Sequence, residues 1–266
     1  MVSICDLLGL SHSVYYAKQK RKKRANVRLE AAMRQIHTEM DGTYGSRRMC
    51  IELNEQGYQI GRYKVRGLMK ALGLVAKRPG KHRYPANQGI GNITANHMNR
   101  QFNPVTQNTH WSGDITYIRT QQGWLYLAVV IELYSRRVIS AAFSHEPNSE
   151  LTIRALQFAL EKRRPAAGLM FHSDQGCQYT SMRFQDYLRD KGCISSMSRA
   201  GNCLDNAVSE RFFRSLKSER VHHRHYATRQ QAIHDITDYI ELFYNAKRRH
   251  AKLGNISPIQ FENKYG

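Results

Sequence analysis

Apolar residues recur at helical spacing near the start of the chain and predict three short helices. The predicted segments are 26–40, 46–57 and 61–73. The first of them carries an apolar residue every three or four positions, at Leu29, Met33, Ile36 and Met40, which places these side chains on one face of a helix. In the second segment, Ser46 is expected to be the N-cap and Gly57 to end the helix.

The third predicted helix has one apolar face and a basic remainder. Val65, Leu68, Met69 and Leu72 share the apolar face, and the cations are Arg62, Lys64, Arg66 and Lys70. A turn that contains glycine joins it to the second helix, as in helix-turn-helix units. We therefore expect this helix to contact DNA through its four cations, while a plain three-helix bundle with a charged outer face is the alternative.

From residue 110 onward the pattern changes to short apolar or alternating runs, which predict strands. The expected elements are strands within 110–144, a helix at 149–164, a strand at 168–174, a helix at 181–191, a strand at 193–197 and a helix from 207. Three consecutive strands followed by alternating strands and helices indicate a mixed α/β fold. Trp111 and Trp124 are expected to anchor its core, and a long helix is expected at 228–246.

Charge favours a polyanionic partner. The chain of 266 residues has 41 Lys and Arg against 21 Asp and Glu, a formal net charge of +20. Residues 1–100 hold 19 of the cations and only 6 of the acids, so the excess is concentrated there. Nucleic acid is the first partner to consider for such a protein. Residues 76–109 combine this charge with Asn, Gly and Pro and resemble a basic linker.

Several classes of protein are not supported by the composition. The apolar run Leu125 to Ile131 is far shorter than the roughly 20 residues that span a bilayer. The first ten residues lack the basic start of a secretory signal. Five cysteines without a CxxC pair support neither a disulfide framework nor a cysteine-rich zinc site. We therefore expect a cytoplasmic protein that does not bind membranes.

Three carboxylates are the candidates for chemistry. Asp114 lies inside a predicted strand, where aspartate is uncommon, and Asp174 ends another strand. Each alone is more often a turn former than an active-site group. Glu210 lies early in the helix that starts near residue 207, whereas Asp205 is expected to be the N-cap of that helix. Oxygen donors without Cys or His suit Mg²⁺, with Mn²⁺ as a substitute, and two such ions promote in-line phosphoryl transfer.

Polar neighbours of Glu210 fall at helical spacing around it. Asn206 precedes it by one turn, Arg214 follows by one turn, and Lys217 follows by two turns. An exposed helix with ordinary ion pairs is one interpretation; the other is a face that holds the DNA backbone, for which Lys217 is the best candidate. Arg199 lies in the preceding loop, which either admits DNA or only connects a strand to a helix.

The ordered motifs resemble one known family. The stretches are WSGDITYI, GWLYLAVVIELYSRRVIS, FHSDQGCQYTS, SMSRAGNCLDNAVSERFFRSLKSE and YNAKRRHAKLGNISPIQF, with an upstream GTYGSRRMCIELNEQGYQIGRYKVRGLMK. Together they resemble the second-frame (OrfB) transposases of bacterial insertion sequences of the IS-three type, within the DDE and retroviral-integrase-like superfamily. The resemblance covers essentially the whole chain, and 35 residues separate Asp174 from Glu210. Glu132 departs from it, because the family commonly has Asp there.

The resemblance implies an RNase H-like fold, a mixed sheet with flanking helices, preceded by a small all-α helix-turn-helix region. The expected organisation is a basic N-terminal segment at 1–25, a helix-turn-helix DNA-binding region at 26–75, the linker at 76–109, an integrase catalytic core at 110–225 and a C-terminal helical tail at 226–266. Asp114, Asp174 and Glu210 match the DDE triad, which holds two metal ions. Lys217 matches a basic residue that contacts terminal DNA.

The implied function is metal-dependent cleavage and strand transfer at the ends of an insertion sequence. The implied partners are DNA, as terminal inverted repeats and target, a second copy of the chain when two ends are paired, and an upstream-frame transposase protein. Association with the bacterial nucleoid follows from these partners. Two alternatives stay open: a nuclease of the same fold that cuts without joining, and an inactive DNA-binding regulator.

Overall fold

The computed structural model describes residues 11–77, 92–199 and 203–266. The chain divides into two compact units, Met1–Lys77 and Arg78–Gly266. Residues 78–91 of the expected linker, and Gly201 and Asn202 of the expected DNA loop, lie outside the described residues. In the part of the chain that the structure describes, no helix is both long and apolar enough to span a bilayer.

The first unit contains the three expected helices. They are α1 (His12–Glu39), α2 (Ser46–Glu55) and α3 (Arg62–Ala71). Apolar side chains from all three helices are buried together, including Met33, Leu53 and Val65. The basic run 18–24 forms part of α1, so the helix begins well before residue 26. The N-cap prediction for Ser46 was wrong, because Gly45 occupies that position and Ser46 is the first helical residue.

The second unit is an α/β structure, as expected. Its strands are β1 (His110–Thr120), β2 (Gly123–Glu132), β3 (Val138–Ser144), β4 (Met170–Ser173) and β5 (Ile194–Met197). Its α-helices are α4 (Ser149–Arg163), α5 (Cys177–Thr180), α6 (Met182–Asp190), α7 (Ala207–Glu219), α8 (Arg229–Asp238) and α9 (Pro258–Tyr265). Short 3₁₀ segments lie at Cys203–Asn206, Val221–His223 and Ala251–Leu253.

The five strands form one sheet in the order β3-β2-β1-β4-β5. The first three strands pair antiparallel, whereas β4 pairs parallel with both β1 and β5. The predicted meander followed by crossovers is therefore confirmed. On one side of the sheet, Trp111, Ile139 and Phe171 pack with Leu156 of α4 and Phe184 of α6 in the main core. Trp124 is not part of this core, so its predicted anchoring role was wrong.

Both edges of the sheet make hydrogen bonds to other parts of the chain. At β3, the Asn245 side chain accepts from the Val138 amide at 3.0 Å and donates to the Val138 carbonyl at 2.9 Å, as a neighbouring strand would. At β5, the Met98 amide donates to Ser196 Oγ at 3.0 Å. Residues 92–109, which the sequence placed in a linker, belong to the second unit, and Met98 among them contacts β5.

The C-terminal segment is part of the same packing. The expected long helix is α8 followed directly by a π-helix, Tyr239–Asn245, so the helical path changes pitch at Tyr239. Ser257 is an N-cap followed by Pro258, as predicted, and Gln260 completes a capping box. Glu262 of α9 accepts from Arg137 and Arg163 at 2.6 Å each, which ties this last helix to the core.

A buried ion pair attaches the C-terminal segment to α7. Arg248 donates to both carboxylate oxygens of Glu219, with its Nη2 2.7 Å from Oε1 and its Nε 2.8 Å from Oε2. The Tyr239 hydroxyl donates to the same carboxylate at 2.7 Å. The Arg248 guanidinium also donates to Ser215 Oγ. This ion pair and its hydrogen bonds therefore tie the C-terminal segment to α7.

We expect Glu219→Gln to destabilise the protein by about 3–5 kcal/mol, because it leaves the Arg248 charge buried without its partner. Glu161→Gln, on the exposed face of α4, is the matched control and should change the free energy of unfolding by less than about 0.5 kcal/mol. Urea unfolding of the two variants measures the difference. Equal stability of both variants would show that Glu219 does not hold the helix.

Candidate active site

The first two candidate carboxylates meet where strands β1 and β4 separate. The two strands pair only from His110 with Met170 to Ser112 with His172. Continued along the chain, the same register sets Asp114 opposite Asp174. Asp174 directly follows β4, and both side chains are partly buried. The parallel pairing therefore brings together two acids that lie far apart in sequence.

Asp114 is held by hydrogen bonds to both carboxylate oxygens. Its Oδ1 accepts from the Ile115 amide at 2.7 Å, and its Oδ2 accepts from Asn206 Nδ2 at 3.0 Å. Burial raises the pKa of Asp114 well above its ordinary value, and the charges of Asp174 and Glu210 add to the increase; the two hydrogen bonds act in the opposite direction. The three candidate carboxylates therefore interact electrostatically.

Asp174 lies in a turn that fixes its carboxylate. Its Oδ1 accepts from the Gly176 amide at 3.0 Å. Burial raises the pKa of Asp174, and the hydrogen bond from Gly176 opposes that increase. Next to it, Gln175 Nε2 donates to the Ser198 carbonyl at 3.0 Å, which joins the turn to the segment after β5.

Glu210 lies in the first turn of α7, on the helix that packs beside β1. Ser209 Oγ is 2.8 Å from Ser112 Oγ, so this contact fixes the start of the helix near Asp114. Burial raises the pKa of Glu210, and the charge of Arg214 lowers it in part. Within the described residues, no three Asp, Glu, His or Cys side chains are grouped so as to hold a metal ion.

A layer of buried polar groups lies behind these carboxylates. His172 Nε2 donates to the Asp205 carbonyl at 2.8 Å, and its Nδ1 is 3.0 Å from Ser196 Oγ. The Asp205 carboxylate accepts from Arg100 Nε at 2.8 Å and from Arg199 Nε at 3.1 Å. The only local signal for this layer in the sequence is a histidine two residues before Asp174.

The N-cap prediction for Asp205 was wrong. Asn206 occupies the N-cap position of α7, and its side chain makes no capping hydrogen bond. The Asp205 carboxylate is fully buried against two arginines and against Asn96 Nδ2 at 3.0 Å. With Arg100 and Arg199 the carboxylate gains two opposite charges as well as hydrogen bonds, whereas an N-cap position would offer it only backbone amides.

The structure places the predicted DNA-contact residues in different environments. Arg214 is exposed, whereas Asn206 is buried and donates to Asp114. Lys217 is only 4% exposed, and its Nζ lies 4.8 Å from the centre of the Tyr117 ring. Burial lowers the pKa of Lys217, and the charge of Asp114 counteracts the decrease.

The remaining predicted contacts lie in the loop before α7 and in the first unit. Arg199 has an exposed side chain that pairs with Asp205. On α3, four cations are exposed, namely Arg62, Lys64, Arg66 and Lys70. Contact of all these residues with DNA stays a prediction.

Glu132, where the sequence departs from the family pattern, ends β2, and its carboxylate is buried near the start of β1. Its Oε2 accepts from Trp111 Nε1 and from the Asn108 amide at 2.9 Å each, and its Oε1 accepts from the Tyr134 amide at 3.2 Å. Burial raises the pKa of Glu132. These bonds connect the end of β2 to the start of β1, so the role of this carboxylate is structural.

Gly113 lies directly before Asp114 and has no room for a side chain. A Cβ atom built at this position would lie 2.4 Å from Cζ of Phe171. Because neighbouring residues of a strand point to opposite faces, the Phe171 ring packs on the face of β1 away from the Asp114 carboxylate. Close contact between β1 and β4 therefore requires glycine here.

Three protein-family models match most of the chain. An integrase core domain matches residues 104–203, a second integrase core domain model matches residues 210–265, and an HTH-like domain matches residues 24–82. The expected fold class is confirmed by these matches.

Individual proteins show the same relationship. The insertion element IS600 uncharacterized 31 kDa protein of Shigella sonnei is 39% identical over 98% of each chain. The transposase InsF for insertion sequence IS3A of Escherichia coli is 36% identical over 98% of this chain and 93% of its own. A chain in the cryoEM structure of a simian T-cell lymphotropic virus intasome, in complex with PP2A regulatory subunit B56 gamma, superposes with a TM-score of 0.50 at 16% identity, covering 85% of this chain and 73% of that one.

The Asp205 network predicts a dependence of stability on pH. Hydrogen bonds from Arg100 and Arg199 hold the pKa of Asp205 far below its ordinary value. A carboxylate with a lowered folded-state pKa stabilises the protein fully above its unfolded pKa of about 3.9, and this stabilisation is lost as the pH falls toward the folded pKa. We therefore expect Asp205→Asn to be less stable than the wild type at pH 7.

Urea unfolding of both proteins between pH 7 and pH 3 measures this dependence. The difference in unfolding free energy should be constant above a pH of about 5 and should shrink below about 4. Asp186→Asn, an exposed aspartate on α6, is the control and should show no such trend. A difference that stays constant down to pH 3 would show that Asp205 does not depend on its charge.

Proposed function

The chain belongs to the family of insertion-sequence transposases with an integrase core domain, and from this premise we propose that Asp114, Asp174 and Glu210 form its active site. The family relationship makes the chain a polynucleotidyl transferase of DNA transposition. The observation that supports the residue assignment is the register of β1 against β4, which sets Asp114 opposite Asp174, while Asn206 at the start of α7 donates to Asp114. The charges of Asp174 and Glu210 also raise the pKa of Asp114. Because three ionised carboxylates close together repel one another, a cation bound among them would be stabilising.

The donor set fits divalent cations that prefer oxygen. Asp114, Asp174 and Glu210 would hold Mg²⁺ or Mn²⁺, for which carboxylates are the usual protein ligands. Two such ions, when bound, supply charge to the attacking and leaving oxygens of a phosphoryl transfer. Asp114 and Asp174 are already fixed by hydrogen bonds from backbone amides. Within the described residues no three Asp, Glu, His or Cys side chains are already grouped to hold a metal ion, so Glu210, on α7, would move toward the two aspartates when the ions bind.

The surrounding residues orient these carboxylates. Asn206 donates to Asp114 Oδ2, which leaves the carboxylate fixed in one rotamer. Ser209 and Ser112 hold the start of α7 against β1 through their hydroxyl contact. Lys217 supplies a cation on the same helix whose charge acts on Asp114. In this proposal, the phosphate at the reacting DNA 3′ end faces the three carboxylates, and the charge of buried Lys217 acts on Asp114.

The proposed substrates are the two ends of the element and a target DNA. The four exposed cations of α3 would bind phosphates of the terminal repeats. Pairing of two ends requires at least two copies of the chain. An upstream-frame protein is a further proposed partner, because a second DNA-binding protein would add recognition of the ends.

We expect Glu210→Gln to reduce both cleavage and joining by more than about 100-fold, since even outer-shell partners of metal ligands contribute roughly 10- to 100-fold. DNA binding should be nearly unchanged, because the substitution keeps the size of the side chain. Incubation with DNA that carries the element ends, in Mg²⁺ or Mn²⁺, measures the products, and a gel shift measures binding. Glu161→Gln is the matched control and should behave as the wild type.

The products also separate the alternatives. Joined products from the wild type alone would support the proposed site. Cleavage without joining would favour a nuclease of the same fold. Equal loss of binding and chemistry in Glu210→Gln would assign Glu210 a structural role and contradict the proposal.

A further inference from the structure

An exposed group of aromatic and cationic side chains lies at the end of the β1–β2 hairpin. We call Tyr117, Arg119 and Trp124 the hairpin cluster. The Trp124 ring is 45% exposed and meets the Tyr117 ring edge to face, with centres 5.2 Å apart and an interplanar angle of 87°. The Arg119 guanidinium carbon lies 6.0 Å from the centre of the Trp124 ring. A large aromatic surface with a cation beside it is therefore open to solvent.

The register of the hairpin puts the three side chains on one face. Arg119 pairs directly with Trp124 across the two strands, and Tyr117 is two residues before Arg119. Paired residues, and residues two apart in a strand, project to the same side of a sheet. The cluster is thus a property of the strand pairing and not of a flexible loop.

The backbone that carries Trp124 is held by the segment before α8. Arg229 Nε donates to the Trp124 carbonyl at 3.1 Å, and the Arg229 amide donates to Gln122 Oε1 at 2.9 Å. On the same turn, the Gln121 amide donates to the Tyr226 carbonyl at 3.0 Å. A Cβ atom built at Gly123 would lie 3.1 Å from Arg229 Nη2, so the guanidinium packs closely against the turn. The indole ring is therefore presented on a fixed support.

The electrostatic setting favours an anionic ligand. Residues 115–131, which include most of the hairpin, contain no Asp or Glu. Arg119 and Arg229 lie at its tip, and Lys217 Nζ is 4.8 Å from the centre of the Tyr117 ring. Lys217 also acts on Asp114. Cations and aromatic rings therefore continue from the candidate active site to the tip of the hairpin.

Tyr117 is three residues after Asp114, a separation of about 10 Å at the rise of a β-strand, and this odd offset puts the two side chains on opposite faces of β1. A strand of DNA that leaves the active site would therefore pass around the edge of β1 to reach the hairpin cluster. Arg119, which pairs with Trp124, is about 17 Å from Asp114 on the same measure. Beyond Ser112, β4 no longer pairs with this part of β1, so the edge beside the cluster is not covered by that strand.

We propose that the hairpin cluster stacks an unpaired base of the DNA strand that is engaged at Asp114 and Asp174. This inference rests on the proposed function, because it takes the bound strand from there. A half-exposed indole ring with adjacent guanidinium groups suits a nucleobase and its phosphate, since stacking tolerates any base and the cations neutralise the backbone. A base inside a duplex has both faces covered by its neighbours and does not offer this surface.

The two tryptophans provide a direct test by fluorescence. Trp111 is fully buried and donates to Glu132, so quenching by added DNA reports on Trp124. We expect a short single-stranded oligothymidylate to quench the wild-type emission in a saturable way. Trp124→Phe should lose this quenching but bind with nearly wild-type affinity, because it keeps an aromatic face. A duplex of the same length should quench little.

Affinity for the same oligothymidylate tests the energetic contribution. Trp124→Ala should weaken binding by about 5- to 150-fold, the range expected for loss of one base–aromatic stack. Phe158→Ala is the matched control, since Phe158 is an aromatic residue of similar exposure on α4, and it should bind as the wild type. If Trp124→Ala does not fold, quenching of the wild type and of Trp124→Phe decides the question.

Three results would overturn the proposal. They are unchanged affinity in a folded Trp124→Ala, equal loss in Phe158→Ala, and equal quenching by the duplex, which would assign the surface to double-stranded DNA. Glu210→Gln separates this proposal from the proposed function. That variant should be quenched as the wild type is; continued joining by Glu210→Gln would contradict the active-site assignment and leave the quenching result standing.

Discussion

The parallel pairing of β1 with β4 is the interaction on which the candidate active site depends. Only three residue pairs join the two strands, and the register they set places Asp114 opposite Asp174 beyond the last pair. Two partly buried carboxylates at this point repel each other, and burial adds to the cost of their charge. The surrounding amides of Ile115 and Gly176 and the side chain of Asn206 compensate in part. The packing of α7 and of the C-terminal segment serves to keep this arrangement in place.

The sequence predicts the secondary structure of this core because burial is one-sided in the strands and periodic in the helices. The alternation of apolar and polar residues in β1 and the apolar runs in β2 and β4 are local patterns that predict strands. The order of the sheet and its catalytic end follow from the family motifs. The choice between Asp205 and Asn206 as the N-cap of α7 does not follow from those motifs or from the local sequence. It is decided by Arg100, which is distant in sequence and leaves no local signal.

The burial of charged side chains is the other feature that could not be predicted from this sequence. Lys217, Glu219 and Arg248 look like ordinary surface residues, and all three are buried in the structure. The partner of Glu219 lies 29 residues further along the chain, so the pairing depends on how the π-helix turns the chain back toward α7. Trp124 is the opposite case. Its place in an apolar strand predicts burial, yet the end of the hairpin extends beyond the core that covers Trp111.

Gly113, directly before Asp114, leaves space for an aromatic ring from the neighbouring strand. The ring of Phe171, from β4, occupies the space that a side chain at position 113 would fill. Positions along β1 therefore differ in how readily their residues can be substituted. Substitution of exposed Arg119 would alter the hairpin cluster without moving the backbone, whereas any substitution at Gly113 must displace an aromatic ring of the strand that leads to Asp174. An engineered variant of this protein must therefore keep glycine at position 113 if the ring of Phe171 is to stay in place.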